Sequence, residues 1–251
     1  MTLTKENYFS LEMNMKYMSA SQVKSFLNCE AGALAEIKGE YQREQSVSLM
    51  VGSYVDAHFE GSMKEFTENN PGIFTKNGLK AEYKNAENVI ERINRDELFV
   101  KYLSGQKQVI LTRDIDGIPF RCKIDSYHPG KAIVDLKVMK DFDGIWKDGL
   151  KLHFIEAWGY DIQGAIYQAV EGNNLPFFIA AATKEKPEPN IEIFSIGQER
   201  LDYCLDLVRA NIKRFALIKT GEILPERCGK CNYCRATKKL SAPLDYLALP
   251  I

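Results

Sequence analysis

The chain has no run of 18 apolar residues, so a membrane-spanning helix is not expected. Its first stretch, Met1 to Lys16, is mixed polar and acidic and lacks the apolar centre of a secretory signal; the expected location is the cytoplasm. An excess of one charge is also missing, since 33 Lys and Arg stand against 34 Asp and Glu for a formal net charge of -1. That balance gives no global attraction to nucleic acid, yet a local basic groove can exist inside a neutral protein. No Gly-x-Gly-x-x-Gly run and no phosphate-binding loop is present, which removes the dinucleotide and P-loop classes. Internal repeats and low-complexity tracts are absent as well, and the histidines number only three, His58, His128 and His153.

What is present is a core. Hydrophobic residues make up 45% of the 251, enough for one large domain with a small appendage. Helical spacing covers Ser19 to Ile37, Val47 to Phe59 and Ala81 to Phe99, with the Gly/Asn/Pro-rich piece Phe66 to Gly78 read as a loop. The period then shortens. Gln108 to Ile115 and Ile118 to Asp125 are strands around an Asp116-Gly117 hairpin turn, and Ala132 to Lys137 follows a Pro129-Gly130 turn. His153 to Val170 is helical, Phe177 to Ala182 and Ile191 to Ile196 are strands, and Leu201 to Ile218 is a long helix. The order predicts an α/β fold, a mixed central β-sheet flanked by helices, over residues 1–223, with a Cys-containing C-terminal segment, 224–251, packed on it.

Asp125 ends one strand, and Asp135 and Lys137 lie two apart on the next, where i and i+2 point to the same side. Two carboxylates and the Leu136 carbonyl are hard oxygen ligands suited to Mg²⁺ or Mn²⁺, and Lys137 can orient a water or offset charge on a phosphate. By itself the triple is also compatible with a surface ion pair on an edge strand. On the following helix Gln163 and Tyr167 share one face, extended by Glu156 and Tyr160, while Trp158, Ile162, Ala165 and Ala169 read as core. Arg121, Lys123, Lys140, Lys147 and Lys151 are candidates to line a DNA groove, with Trp146 or Phe142 to stack on an end base.

Lys123-Ile124-Asp125 followed by Val134-Asp135-Leu136-Lys137 resembles the core signature of the PD-(D/E)XK nucleases, which have a restriction-endonuclease-like core. Over roughly Met18 to Lys239 the layout is similar to the RecE-type exonuclease VIII group of phage and prophage proteins. The resemblance implies Asp125 and Asp135 as metal ligands and Lys137 as the catalytic lysine. It implies His58, within Gly52-Ser53-Tyr54-Val55-Asp56-Ala57-His58, as an ancillary ligand, and Gln163 and Tyr167 as a Gln-x-x-x-Tyr element. This chain has Asp135 where many relatives have Glu, and both occur in the superfamily.

Cys228, Cys231 and Cys234 put three thiols in seven residues, a spacing that chelates soft metals, and Cys29 is the natural fourth ligand. Cys122 and Cys204 fall inside a strand and a helix and read as core. The residues alone leave Zn²⁺, an iron-sulfur cluster or metal-free thiols open. Resemblance to nucleases of the helicase-nuclease and CRISPR-adaptation kinds implies a [4Fe-4S] cluster, although the last cysteine interval here is shorter than theirs.

The leading expectation is a Mg²⁺-dependent exonuclease that digests linear duplex DNA from its ends. A 5′-to-3′ polarity and a single-strand annealing partner are implied by the resemblance alone. An endonuclease of the same fold is the nearest alternative, since end-dependence turns on whether loops or a ring-like homo-oligomer close the path to the site. A non-catalytic DNA-binding or metal-stapled structural protein is the alternative from another class.

Overall fold

In a computed structural model the protein is described over residues 2–44, 46–147, 149–240, 242–243 and 245; the expected segment 224–251 thus lies partly outside the described residues. The chain opens with helices α1 (Leu11–Lys16), α2 (Ala20–Asn28), α3 (Glu30–Ile37), α4 (Val47–Glu60) and α5 (Met63–Asn69). A two-strand hairpin, β1 (Phe74–Thr75) and β2 (Gly78–Leu79), leads to α6 (Asn85–Asn94) and α7 (Glu97–Leu103). Then come β3 (Gln106–Ile115), β4 (Ile118–His128), β5 (Ala132–Met139) and a small hairpin, β6 (Ile145–Lys147) with β7 (Leu150–Leu152). The second half holds α8 (Phe154–Ala157), α9 (Tyr160–Glu171), β8 (Phe177–Thr183), β9 (Ile191–Ser195), α10 (Gln198–Thr220) and α11 (Asn232–Ala236).

The main sheet has the order β3-β4-β5-β8-β9, with β5 and β8 parallel and the other neighbours antiparallel. The Asp116-Gly117 turn forms as expected, both residues having positive φ (50° and 80°) between the paired Ile115 and Ile118. Alternation along the strands sends Phe120, Ile124, Ile133 and Ile179 to one face, against residues of α2, α9 and α10. Val134, Leu136, Ala180 and Ala182 go to the other, against α4, α6 and α7. The result is a three-layer α/β fold matching a restriction-endonuclease-like core, with β5 and β8 buried on both faces.

Three helices expected to be continuous are broken, each by a local cause. Ser19 to Ile37 splits at Cys29, whose extended backbone (φ -166°, ψ 109°) ends α2 and whose Sγ then accepts the Gly32 N–H to start α3. Ala81 to Phe99 splits before Asp96, which caps α7 by accepting the Phe99 N–H at 2.8 Å. His153 to Val170 splits at Gly159, which sits at φ +62°. The stretch expected as a loop, Phe66 to Gly78, carries the end of α5 and the β1–β2 hairpin.

Candidate active site

The β4–β5 ladder runs over only three residue pairs, from His128↔Ala132 to Ser126↔Val134. Beyond that point the Asp125 carboxylate takes the place of a backbone partner: its Oδ2 accepts the Leu136 N–H at 3.1 Å. The gap between two central strands is therefore closed by a carboxylate. Across it on β3, Gln108 adopts positive φ (54°), and its side-chain amide donates to Asp125 Oδ1 at 3.3 Å and to Glu60 Oε1 at 2.6 Å.

Asp135 and Lys137 follow the strand period and point together toward α9. Asp135 is only 2% exposed. Its Oδ2 is ion-paired with Lys137 Nζ, and its Oδ1 accepts from the Gln163 side-chain amide at 2.6 Å. Lys137 Nζ also donates to the Leu136 carbonyl at 3.4 Å. Gln163 reaches this far because α9 lies very close to β8 at Gly164, where a Cβ would stand 2.6 Å from the Phe177 ring. One turn on, the buried Tyr167 hydroxyl donates to the Lys123 carbonyl at 3.1 Å, tying α9 to β4 rather than facing open space.

His58, expected as an ancillary ligand, is exposed, its ring edge-on to Phe59. From Asp56 to His58 is two residues, about 200° of helix rotation, so the two cannot share a face. The α4 carboxylates that face the gap beside β4 are Asp56 and Glu60, one turn apart. With Asp125, Phe59, Leu103, Lys107 and Leu136 they line a cavity of about 10 Å³, room for about one water. Reading the sequence missed both carboxylates, since their i, i+4 spacing places them on one helix face without saying which face meets the sheet. It also missed Lys24 of α2, whose Nζ lies 3.4 Å from Gln163 Oε1 and 5.3 Å from the centre of the Tyr160 ring. Lys137 Nζ approaches the same ring at 5.3 Å.

The electrostatics show an unbalanced site. Burial, and then Asp135, push the Asp125 carboxyl up to about 7 against the pull of Lys137. Burial and Asp125 hold Asp56 well above the usual carboxylate range. Burial opposes the charge on Lys137, but Asp135 and Asp125 outweigh it and keep that ammonium above its ordinary value. Burial and Lys137 together lower Lys24 to about 8. Four carboxylates, Asp56, Glu60, Asp125 and Asp135, thus stand against three lysines, Lys24, Lys107 and Lys137, and the donors are hard oxygens, the set a divalent cation such as Mg²⁺ or Mn²⁺ prefers.

The cysteines form a separate, tighter group. Among the described residues, Cys29, Cys228, Cys231 and Cys234 are the one set of three or more metal-ligating side chains whose ligand atoms all lie within 4.8 Å of one another. Sulfur–sulfur separations are 3.5 Å for Cys29–Cys234 and 3.9 Å for Cys228–Cys234, and all four thiols are free. Backbone N–H groups of Gly32, Cys231 and Cys234 each donate to a sulfur at 3.4 Å. The set can coordinate a metal ion. Cys122 and Cys204 are buried in the core, as expected.

Of the other candidates, Arg121 is 1% exposed, beneath the Tyr8 ring and donating to Asn14, so it lines no groove. Phe142 packs against Phe154 and Phe194. Trp158, expected in the core, is 56% exposed, because the Gly159 break takes it off the buried face of α9. Lys140 pairs with Asp141 at 3.0 Å, and Trp146 is 70% exposed.

Among known proteins, residues 19–237 match the family described as a PDDEXK-like domain of unknown function (DUF3799). A crystal structure of a protein from Eubacterium rectale that carries the provisional name exonuclease is 47% identical, with 98% of this chain and 97% of that one covered at a TM-score of 0.92. A crystal structure of SSO0001 is 15% identical, covering 90% and 92% at a TM-score of 0.35, too distant to carry an argument. No curated protein matches the chain significantly. Joined to the sheet, the Asp125, Asp135 and Lys137 placement and the three-layer core, the match over most of the chain means that this protein belongs to the DUF3799 family of PDDEXK-like domains, within the PD-(D/E)XK nuclease superfamily.

Proposed function

We propose that the protein is a divalent-cation-dependent deoxyribonuclease that hydrolyses phosphodiester bonds of linear duplex DNA, working inward from an end. The observation that carries this reading is the convergence of Asp56, Glu60 and Asp125 on one small cavity beside the Asp135–Lys137 pair. Asp125, Asp135 and the Leu136 carbonyl would hold Mg²⁺ or Mn²⁺, with Asp56 and Glu60 adding charge in place of the expected His58. Such a cation, when bound, polarises the phosphodiester and lowers the pKa of a water. Lys137, kept protonated by its two carboxylates, orients the attacking water and offsets charge developing on the phosphate. Gln163 fixes the rotamer of Asp135, and Gln108 that of Asp125, so the acidic groups are positioned before substrate arrives. Lys24 adds a second cation on the α2 side. End-dependence rests on the provisional exonuclease name of the Eubacterium rectale relative and on the likeness to RecE-type enzymes; 5′-to-3′ polarity and an annealing partner rest on that likeness alone.

For the thiols, the separations favour one tetrahedral ion over a cluster. Four sulfurs at about 2.3 Å from one Zn²⁺ stand about 3.8 Å apart, close to the 3.5 and 3.9 Å seen here. Around a [4Fe-4S] core each thiolate binds a different iron, which spreads the sulfurs further. This reading makes the site a structural staple between α3 and α11.

The test is Mg²⁺-dependent cleavage of linear and closed-circular duplex. Cutting of the linear form with the circle left intact supports the exonuclease. Equal cutting of both makes it an endonuclease, and no cutting of either with Mg²⁺ or Mn²⁺ removes the reading.

A further inference from the structure

The protein has two tryptophans, Trp146 and Trp158, and both open onto the same groove. They are 70% and 56% exposed. Large aromatic side chains ordinarily bury most of their surface, so two in one cleft, both open to solvent, mark a binding surface rather than loose packing. The groove has a volume of about 640 Å³ and is walled by α2, the β6 strand and the α8–α9 junction. It begins at the candidate active site: Lys24 and Tyr160 belong to both, and the Tyr160 ring lies 5.3 Å from Lys137 Nζ.

Among the described residues its unpaired lining cations are Lys24 and Lys147, while Arg43, also on its wall, is ion-paired with Glu36. Glu156, the one acidic residue lining it among the described residues, is ion-paired with Arg200 at 3.1 Å. Phosphates suit those cations, and exposed aromatic faces suit bases. The bases of an intact duplex are already stacked on one another, so only unpaired bases can offer a face to indole. The geometry points to this groove as the seat of a single DNA strand that runs on from the scissile phosphate, its bases stacked on Trp146 and Trp158 and its backbone held by Lys24 and Lys147. The inference rests on the nuclease reading for the direction of the strand, and it makes the enzyme hold unpaired DNA next to the bond it cuts.

Because the groove contains both tryptophans of the chain, tryptophan fluorescence, excited to the red of tyrosine absorption, reports on it alone. The full chain carrying Asp125→Asn, without added divalent cation, is titrated with an oligothymidylate of about 12 residues and with a duplex of the same length; single-strand sites of this kind span about 4–16 nucleotides. Saturable quenching by the oligothymidylate, at least about 5-fold tighter than by the duplex, is expected. Trp146→Ala and Trp158→Ala should each weaken binding of a labelled oligothymidylate by about 5- to 150-fold, the range for loss of one base–aromatic stack, and Trp158→Phe should retain most of it. Both residues are solvent-exposed, so circular dichroism of the variants should match that of the parent. No quenching, equal affinity for the duplex, or unchanged affinity in the Trp146→Ala/Trp158→Ala protein would overturn the inference. The two readings fail separately: quenching by a protein that never cuts DNA sinks the nuclease, whereas cutting by a protein with unaltered strand affinity after loss of both indoles sinks the groove.

Discussion

The carboxylate pocket and the thiol group are two clusters of potential ligand atoms in one chain, built on opposite principles. The thiols come from the start of α3 and from residues 228–234, are supported by three backbone N–H groups, and have all four sulfurs within 4.8 Å of one another. The carboxylates come from α4, β4 and β5, and their oxygens are spent on partners: Leu136 N–H, Gln108, Gln163 and Lys137. One region joins distant parts of the chain. The other encloses a cavity of about 10 Å³ and is electrostatically unbalanced, its Asp125 pushed up to about 7. On the proposed reading the thiols are a structural site, and the carboxylates are a site that keeps uncompensated charge for the cation and substrate it would admit.

The largest effect should come from the carboxylate region. Lys137→Ala is expected to lower DNA cleavage per folded molecule by about 10²–10⁴-fold, the scale of losing one positioned acid–base group, with bound thiol-site metal unchanged. Cys234→Ser should do the reverse: less bound metal, a melting temperature lower by several degrees, and cleavage per folded molecule largely kept. Each 1 kcal/mol moves a domain of this size by about 2–4 °C. Equal loss of activity in both variants would erase the contrast between the two regions.

A finer cut lies within the pocket. Asp56→Asn is expected to reduce cleavage by about 10–100-fold, the range for groups that support a metal site, whereas His58→Ala should change it less than about 3-fold. A larger effect at His58 than at Asp56, measured under saturating Mg²⁺, would return the histidine to the site.

The smallest effect concerns a buried charge outside both regions. Lys219, on α10, donates to the Tyr17 carbonyl at 2.8 Å and to Gln22 Oε1 at 3.1 Å. Burial, and then Arg121, push it down from 10.5 to about 7. Between those values the unfolded chain holds a proton that the folded chain has lost, so this group's contribution to stability rises with pH; below about pH 7 its cost is complete. The melting temperature of the parent relative to Lys219→Met should therefore climb from pH 6.5 to pH 9. A flat difference would mean that the two oxygens fully compensate the ammonium.

How much of this was legible depended on whether a signal was local. Asp135 and Lys137 were readable because a strand has a period of two, and Asp125 because a short turn returns β5 beside it. Cys29 was readable as the partner of the later thiols, but the break it makes between α2 and α3 was hidden, since the apolar spacing runs through it unbroken. Asp56 and Glu60 were not legible, because what selects them over His58 is the phase with which α4 docks on β5. Trp158 was misread for a related reason: Gly159 resets the helical phase, so counting back from α9 assigns the wrong face. Local periodicity found the strand-borne residues, and tertiary docking decided the rest.

The most direct test of the central claim is cleavage of linear duplex DNA by the parent and by Asp125→Asn, with Mg²⁺ supplied and then withdrawn. Cleavage by the parent that requires the cation, and its loss by at least about 10²-fold in Asp125→Asn, is the predicted result. Cleavage that persists in Asp125→Asn, or that proceeds equally without the cation, would contradict the account.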